Sequence, residues 1–219
     1  MVFRIAAVLL TTMFWFAASP LAAQETASFE AAARARGTPD IPGLNIVWLT
    51  PWGDVAQARE WRNIIVHQSE GAVGSAYRAA LAQSKRPARR GVTIWVETDG
   101  TVYWSVAEFA VPNHINNGNR RDNKFIDNAT TFQQIENDNS IGVEFVGNYP
   151  NVRRPVTAEQ SAAWQILVRV LQSRYGIPDS RVYAHNWIDY KDSRYCEGCD
   201  LARLVRTPRI ETARAQITP

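Results

Sequence analysis

Cysteine is scarce in this chain: only Cys196 and Cys199 occur among 219 residues. That is too few for a fold held together by a disulfide framework. Histidine is nearly as rare, with three residues, His67, His114 and His185. One-sided charge is missing as well. The chain has 24 Lys and Arg against 21 Asp and Glu, a net charge of +3. Nucleic acid is therefore excluded as the expected partner, because dedicated binders carry a stronger basic bias. Glycine and proline, at 12 and 11 residues, are too few for a collagen-like or low-complexity chain. What is there is ordinary globular material, 46% hydrophobic and 21% charged, of a length that suits one domain.

One apolar run stands out, and it comes first. Arg4 precedes an uncharged stretch from Ile5 to Ala18, followed by Ser19-Pro20-Leu21-Ala22-Ala23 and then polar Gln24-Glu25. A charged start, a short apolar middle and a small-residue exit describe a secretory signal peptide over residues 1–23, since a membrane anchor needs about 18–20 apolar residues. No later segment is apolar enough to span a bilayer. The expected product is exported, periplasmic or secreted, with a lead segment at 24–43, one domain at 44–206 and a tail at 207–219.

Within the domain, Asn63-Ile-Ile-Val-His67 reads as a buried strand ending at a histidine. Val73, Tyr77, Ala80 and Leu81 recur at helical spacing between Gly71 and Ser84. Lys85 to Arg90 is a charged, solvated connector. Asp99-Gly100 separates two β-branched and aromatic runs, Val92–Glu97 and Thr101–Val106, which predicts a hairpin. Residues 113–139 read as a long Asn-rich loop, and Ser140–Val146 as a strand. Thr157 and Gln160 have capping-box spacing ahead of an apolar stripe of Trp164, Leu167, Val168, Leu171 and Tyr175, with Gly176 placed to end the helix. Arg181–Ala184 predicts a strand delivering His185, and Asp200–Arg206 a closing helix. The fold class that follows is α/β, a small mixed sheet with helices packed on it.

The chemistry rests on few residues. His67 and His185 each follow a predicted strand, where a sheet presents side chains at its rim. Neutral imidazole and thiolate are preferred zinc ligands, and a catalytic zinc takes three protein ligands and leaves one position open. A strand-end histidine is equally consistent with a buried structural residue. Glu144 lies in the apolar run Val143, Phe145, Val146, where a carboxylate demands a partner. For Cys196-Glu-Gly-Cys199 the residues leave open a metal thiolate, a disulfide staple and a redox pair. The last is a poor fit, because the run lies in a late loop and not at a strand-to-helix junction.

The ordered set Ile64-Ile-Val-His67-Gln-Ser69, Asp99-Gly-Thr-Val102, Pro112-Asn-His114, Asn139-Ser-Ile-Gly-Val-Glu144-Phe-Val-Gly147, Tyr175-Gly-Ile-Pro178 and Ala184-His185 resembles the zinc-dependent N-acetylmuramoyl-L-alanine amidases of the type 2 family, whose fold is shared with peptidoglycan recognition proteins. The likeness runs over residues 60–206. It implies a single domain with a mixed central sheet flanked by helices, one Zn2+ ion, and hydrolysis of the lactyl–L-Ala amide of peptidoglycan or muropeptides. The alternative is a peptidoglycan-binding module without turnover. By resemblance, His67 and His185 are zinc ligands and Cys196 the third, with Asp192 and Cys199 as alternates. Glu144 matches the general base, and Arg194 with Lys191 the positive charge beside the third ligand. His114, with Asn113 and Asn139 in the same motifs, is assigned to substrate.

Overall fold

The computed structural model describes residues 40–50, 60–106, 110–115, 131, 134–147, 154–189 and 196–206. The expected signal peptide and C-terminal tail lie outside them, as does the lead segment up to residue 39. Six strands form one sheet: β1 Ile46–Trp48, β2 Asn63–Gln68, β3 Ile94–Val96, β4 Val102–Trp104, β5 Ser140–Phe145 and β6 Val182–Ala184. Their order across the sheet is β1-β4-β3-β5-β2-β6. Only β3 and β4 run antiparallel, joined by the predicted hairpin. Every other neighbouring pair is parallel. The mixed sheet expected from the sequence is thus present, with one strand more than expected, β1, on the edge.

The hairpin is shorter than its β-branched runs because the turn uses up their inner ends. Glu97 N donates to Thr101 O at 2.9 Å, and Thr101 N donates to Asp99 Oδ1 at 2.9 Å. Gly100 takes φ +83°, and a Cβ there would press on the Glu159 backbone, so the position favours glycine.

Among the described residues, four α-helices accompany the sheet: α1 Ser75–Lys85, α2 Ala158–Tyr175, α3 His185–Ile188 and α4 Cys199–Arg206. Helix α1 starts later than its apolar spacing suggests, after Gly74 in the left-handed region. The stripe of α2, Trp164, Leu167, Val168 and Leu171, is buried against Ile64, Val66, Val143 and Phe145 on one sheet face. Phe145 and Trp164 meet edge to face, with ring centroids 5.7 Å apart. No helix among the described residues is long and apolar enough to cross a membrane.

The cap of α2 ties this layer to the sheet. Thr157 Oγ1 accepts from Gln160 N at 3.0 Å and donates to Thr98 O at 2.6 Å. Gln160 answers by accepting from Thr157 N at 3.0 Å. Its amide also donates to Val96 O and Val146 O, at 3.2 and 2.8 Å, just where β3 and β5 end. Gly176 closes the helix at φ +67°. Thr157→Ala removes the cap and the bond to Thr98 together. It is expected to cost about 2 kcal/mol, the upper end for an N-cap; a denaturant midpoint unchanged at constant slope would contradict it.

Candidate metal centre

Parallel pairing brings the chemistry to one end of the sheet. β2 lies between β5 and β6, and all three run in the same direction. His67 sits near the C-terminal end of β2, and His185 follows the last residue of β6 as the first residue of α3. Their rings stand 4.3 Å apart, centroid to centroid. Both are buried, at 3% and 4% exposure.

The third group is Glu197, itself 2% exposed. Its Oε1 lies 3.0 Å from His185 Nδ1 and 3.3 Å from His67 Nδ1. One atom from each of the three residues falls within 4.8 Å of the others, the grouping of a metal site. The donor chemistry fits zinc. Two imidazole nitrogens and one carboxylate oxygen form a known catalytic zinc set, which leaves a fourth position for water or substrate. Burial acts to raise the pKa of Glu197, but the charge and hydrogen bond of His185, and then those of His67, outweigh it. The carboxyl is held well below its ordinary range and is therefore an anion at neutral pH, as a ligand must be.

Glu197 reaches this place through a tight approach of its loop. Gly198 has φ +79°, and a Cβ on it would collide with the Val66 carbonyl. Gly198 N donates to Gln68 Oε1 at 3.0 Å. The loop therefore lies directly on β2, beside His67. Cys196 and Cys199 close the same four-residue loop as a disulfide.

The structure joins Cys196, the ligand expected from the resemblance, to Cys199, and the group that it sets beside the two histidines is Glu197. Glu197 is the only carboxylate of that loop, and its burial comes from contacts that sequence spacing does not show. Asp189, also missed, is 2% exposed and has Oδ2 3.7 Å from His185 Nε2. Lys191, Asp192 and Arg194 lie outside the described residues.

Glu144 stands in register with His67 on the adjacent parallel strand. Residues in register share a face, with strands about 4.8 Å apart, so Glu144 and His67 stand side by side on the face of the sheet that carries the centre. It is partly buried, whereas the flanking Val143 and Phe145 are fully buried on the other face.

Each of the three residues assigned to substrate makes contacts within the protein. His114 is 8% exposed and lies behind His67, with Nδ1 3.1 Å from His67 Nε2. Burial, followed by the charges of His67 and His185, pushes its pKa well below the ordinary imidazole value. Asn139 precedes β5, at the opposite end of that strand from Glu144 and about 16 Å away at 3.3 Å per residue. There its Oδ1 accepts from Asn63 Nδ2 and Glu136 N, at 2.9 and 3.0 Å, joining β5 to β2. Asn113 is exposed and accepts from Asn137 Nδ2 at 3.2 Å. A cavity of about 670 Å3 lined by Trp61, Arg62, Arg174, Tyr175 and Arg181 also lies at that far end, remote from the histidines.

Comparison with known proteins agrees with this architecture. The model of the family described as N-acetylmuramoyl-L-alanine amidase matches residues 57–199. No curated protein matches the chain. Among solved structures, the N-acetylmuramoyl-L-alanine amidase LysC from Clostridium intestinale URNW has 16% identity and a TM-score of 0.50, over 73% of this chain and 95% of that one. The catalytic domain of XlyA has 21% identity and a TM-score of 0.50, over 74% of this chain and 99% of that one. At such identities the likeness is one of fold.

Proposed function

Because this chain belongs to the N-acetylmuramoyl-L-alanine amidase family, we propose that it is a zinc-dependent hydrolase of the amide between the lactyl group of N-acetylmuramic acid and L-alanine of the stem peptide. The observation that carries the reading is the convergence of His67, His185 and Glu197 beside Glu144 at one end of three parallel strands. The three residues hold the ion. When bound, zinc supplies Lewis acidity that lets water ionise near neutral pH.

Glu144 accepts the proton of the attacking water at its carboxylate and passes it to the amide nitrogen. One C–O bond forms and one C–N bond breaks, leaving a lactyl carboxylate and a free α-amine on L-alanine. Arg194 or Lys191 supplies positive charge to the carbonyl oxygen as charge develops there, an effect of about 3–4 kcal/mol per donor. The substrate is cell-wall peptidoglycan or its muropeptides. The leader at residues 1–23 exports the chain to it, with the catalytic domain at 44–206.

Zinc-loaded protein incubated with isolated muropeptides and with intact sacculi tests the reading. Mass spectrometry should find free stem peptides beginning at L-alanine and sugars retaining the lactyl acid. Tight binding of the same muropeptides with no such products would replace the proposal with the recognition module.

A further inference from the structure

We propose that Trp95 forms the sugar-facing wall of the site, its half-buried indole beside Glu144 packing on one face of the N-acetylmuramic acid ring. The proposal rests on the hydrolase reading above and adds to it the place of the sugar. One row of residues crosses the sheet at this level. His67 of β2 is paired with Glu144 of β5, Glu144 with Trp95 of β3, Trp95 with Tyr103 of β4, and Tyr103 with Val47 of β1. Residues in register share a face, with strands about 4.8 Å apart. Trp95 is therefore the next side chain along from Glu144, on the side away from the histidines.

The cover over Trp95 comes from one direction. Its ring packs against Val47, Leu49 and Ala80, where α1 lies on the β1 and β4 side of the sheet. Tyr77 of α1 and Tyr103 meet there, with ring centroids 5.6 Å apart. On the β5 side the neighbour in register is Glu144, half-buried like Trp95 itself. The uncovered part of the indole thus borders that carboxylate. Core tryptophans are enclosed from every side, as Trp104 and Trp164 are on the opposite face. Trp95 Nε1 is buried and makes no hydrogen bond. Packing alone therefore sets the ring, and what it offers a ligand is apolar surface.

Charge decides which part of the substrate suits this wall. Burial, and then the charges of Asp99 and Glu97, push the Tyr103 hydroxyl up to about 12. The sheet beyond Trp95 is thus a negative neighbourhood, and Glu144 adds a carboxylate on the near side. A stem peptide ends in a carboxylate and is disfavoured there. The sugar is uncharged once its lactyl carboxyl is tied up in the amide. The C–H bonds on a pyranose face suit the negative π-face of an indole, and aromatic walls are a common lining of ligand sites.

Calorimetry on zinc-loaded Glu144→Gln protein, whose cleavage is slow against the measurement, tests the assignment with two ligands. One is an N-acetylmuramoyl-L-alanyl peptide, and the other is the same peptide carrying only the lactyl group. The muramoyl compound should bind about tenfold more tightly. Trp95→Leu keeps an apolar side chain against α1 and should abolish most of that preference while leaving the lactyl peptide's affinity unchanged. Trp95→Phe keeps an aromatic face and should retain most of the preference, because the lost Nε1 has no partner. An equal loss for both ligands in folded Trp95→Leu protein would overturn the proposal, as would a preference that the substitution leaves intact. A parent protein that binds both ligands alike would overturn it too, even if wild type cuts the amide. A ring-dependent preference in a protein whose wild type cuts neither ligand would support the sugar wall and count against the hydrolase reading alone.

Discussion

Replacing either His67 or His185 with alanine is expected to strip zinc from the protein and to reduce amide cleavage to background. Each histidine supplies one of only three donors, and two donors do not hold a catalytic zinc. The loss should exceed the about 10–100-fold that follows when a partner of a ligand is removed, because here the ligand itself goes. Glu197→Ala belongs in the same series and should behave the same way. Cys196→Ser and Cys199→Ser should resemble each other and be milder, since each opens the loop but leaves all three donors in the chain. Metal analysis after exhaustive dialysis decides the matter. Stoichiometric zinc in both histidine variants would remove the centre from this place, and a Cys196 variant far worse than Cys199 would return the third ligand to sulfur.

Glu144→Gln should lower turnover by about 10²–10⁴-fold, the usual worth of a positioned proton acceptor. The amide keeps the shape of the side chain, and its register beside His67 is set by backbone pairing that the substitution does not touch. Zinc content should therefore stay at one ion, and this separates the variant from the histidine series. Because the proton is lost from the mechanism and not the substrate from the site, the effect should fall on kcat more than on KM. Single-turnover kinetics with zinc-loaded protein would show it, and near-normal turnover with an unaltered pH profile would mean that another group carries the proton.

Features set by local rules were legible in the sequence. Thr157, Gln160 and Gly176 define α2 by short-range hydrogen bonding and backbone conformation, and the helix forms over Ala158–Tyr175 as they indicate. The strands ending at or just before His67 and His185 were equally plain, since apolar runs bounded by polar residues need no partner to be recognised. Features set by contacts between distant segments were not. β1 is three residues long and exists by pairing with β4. Glu197 points inward because Gly198 can touch the Val66 carbonyl and because the flanking cysteines are joined, neither of which spacing reveals. The contact between His114 and His67 is set by the fold, where a glycine on the neighbouring strand leaves room for the ring. Asn139 lies in the same motif as Glu144, yet a strand's length separates them.

The Gly198 amide reaches the Gln68 side chain across 130 residues of chain, and this distance governs when the centre can come into being. Closing so long a loop costs entropy before any contact returns it. An ion bound by His67, His185 and Glu197 would join the early and late halves of the domain and favour the folded state over the unfolded one, so its removal is expected to loosen that join.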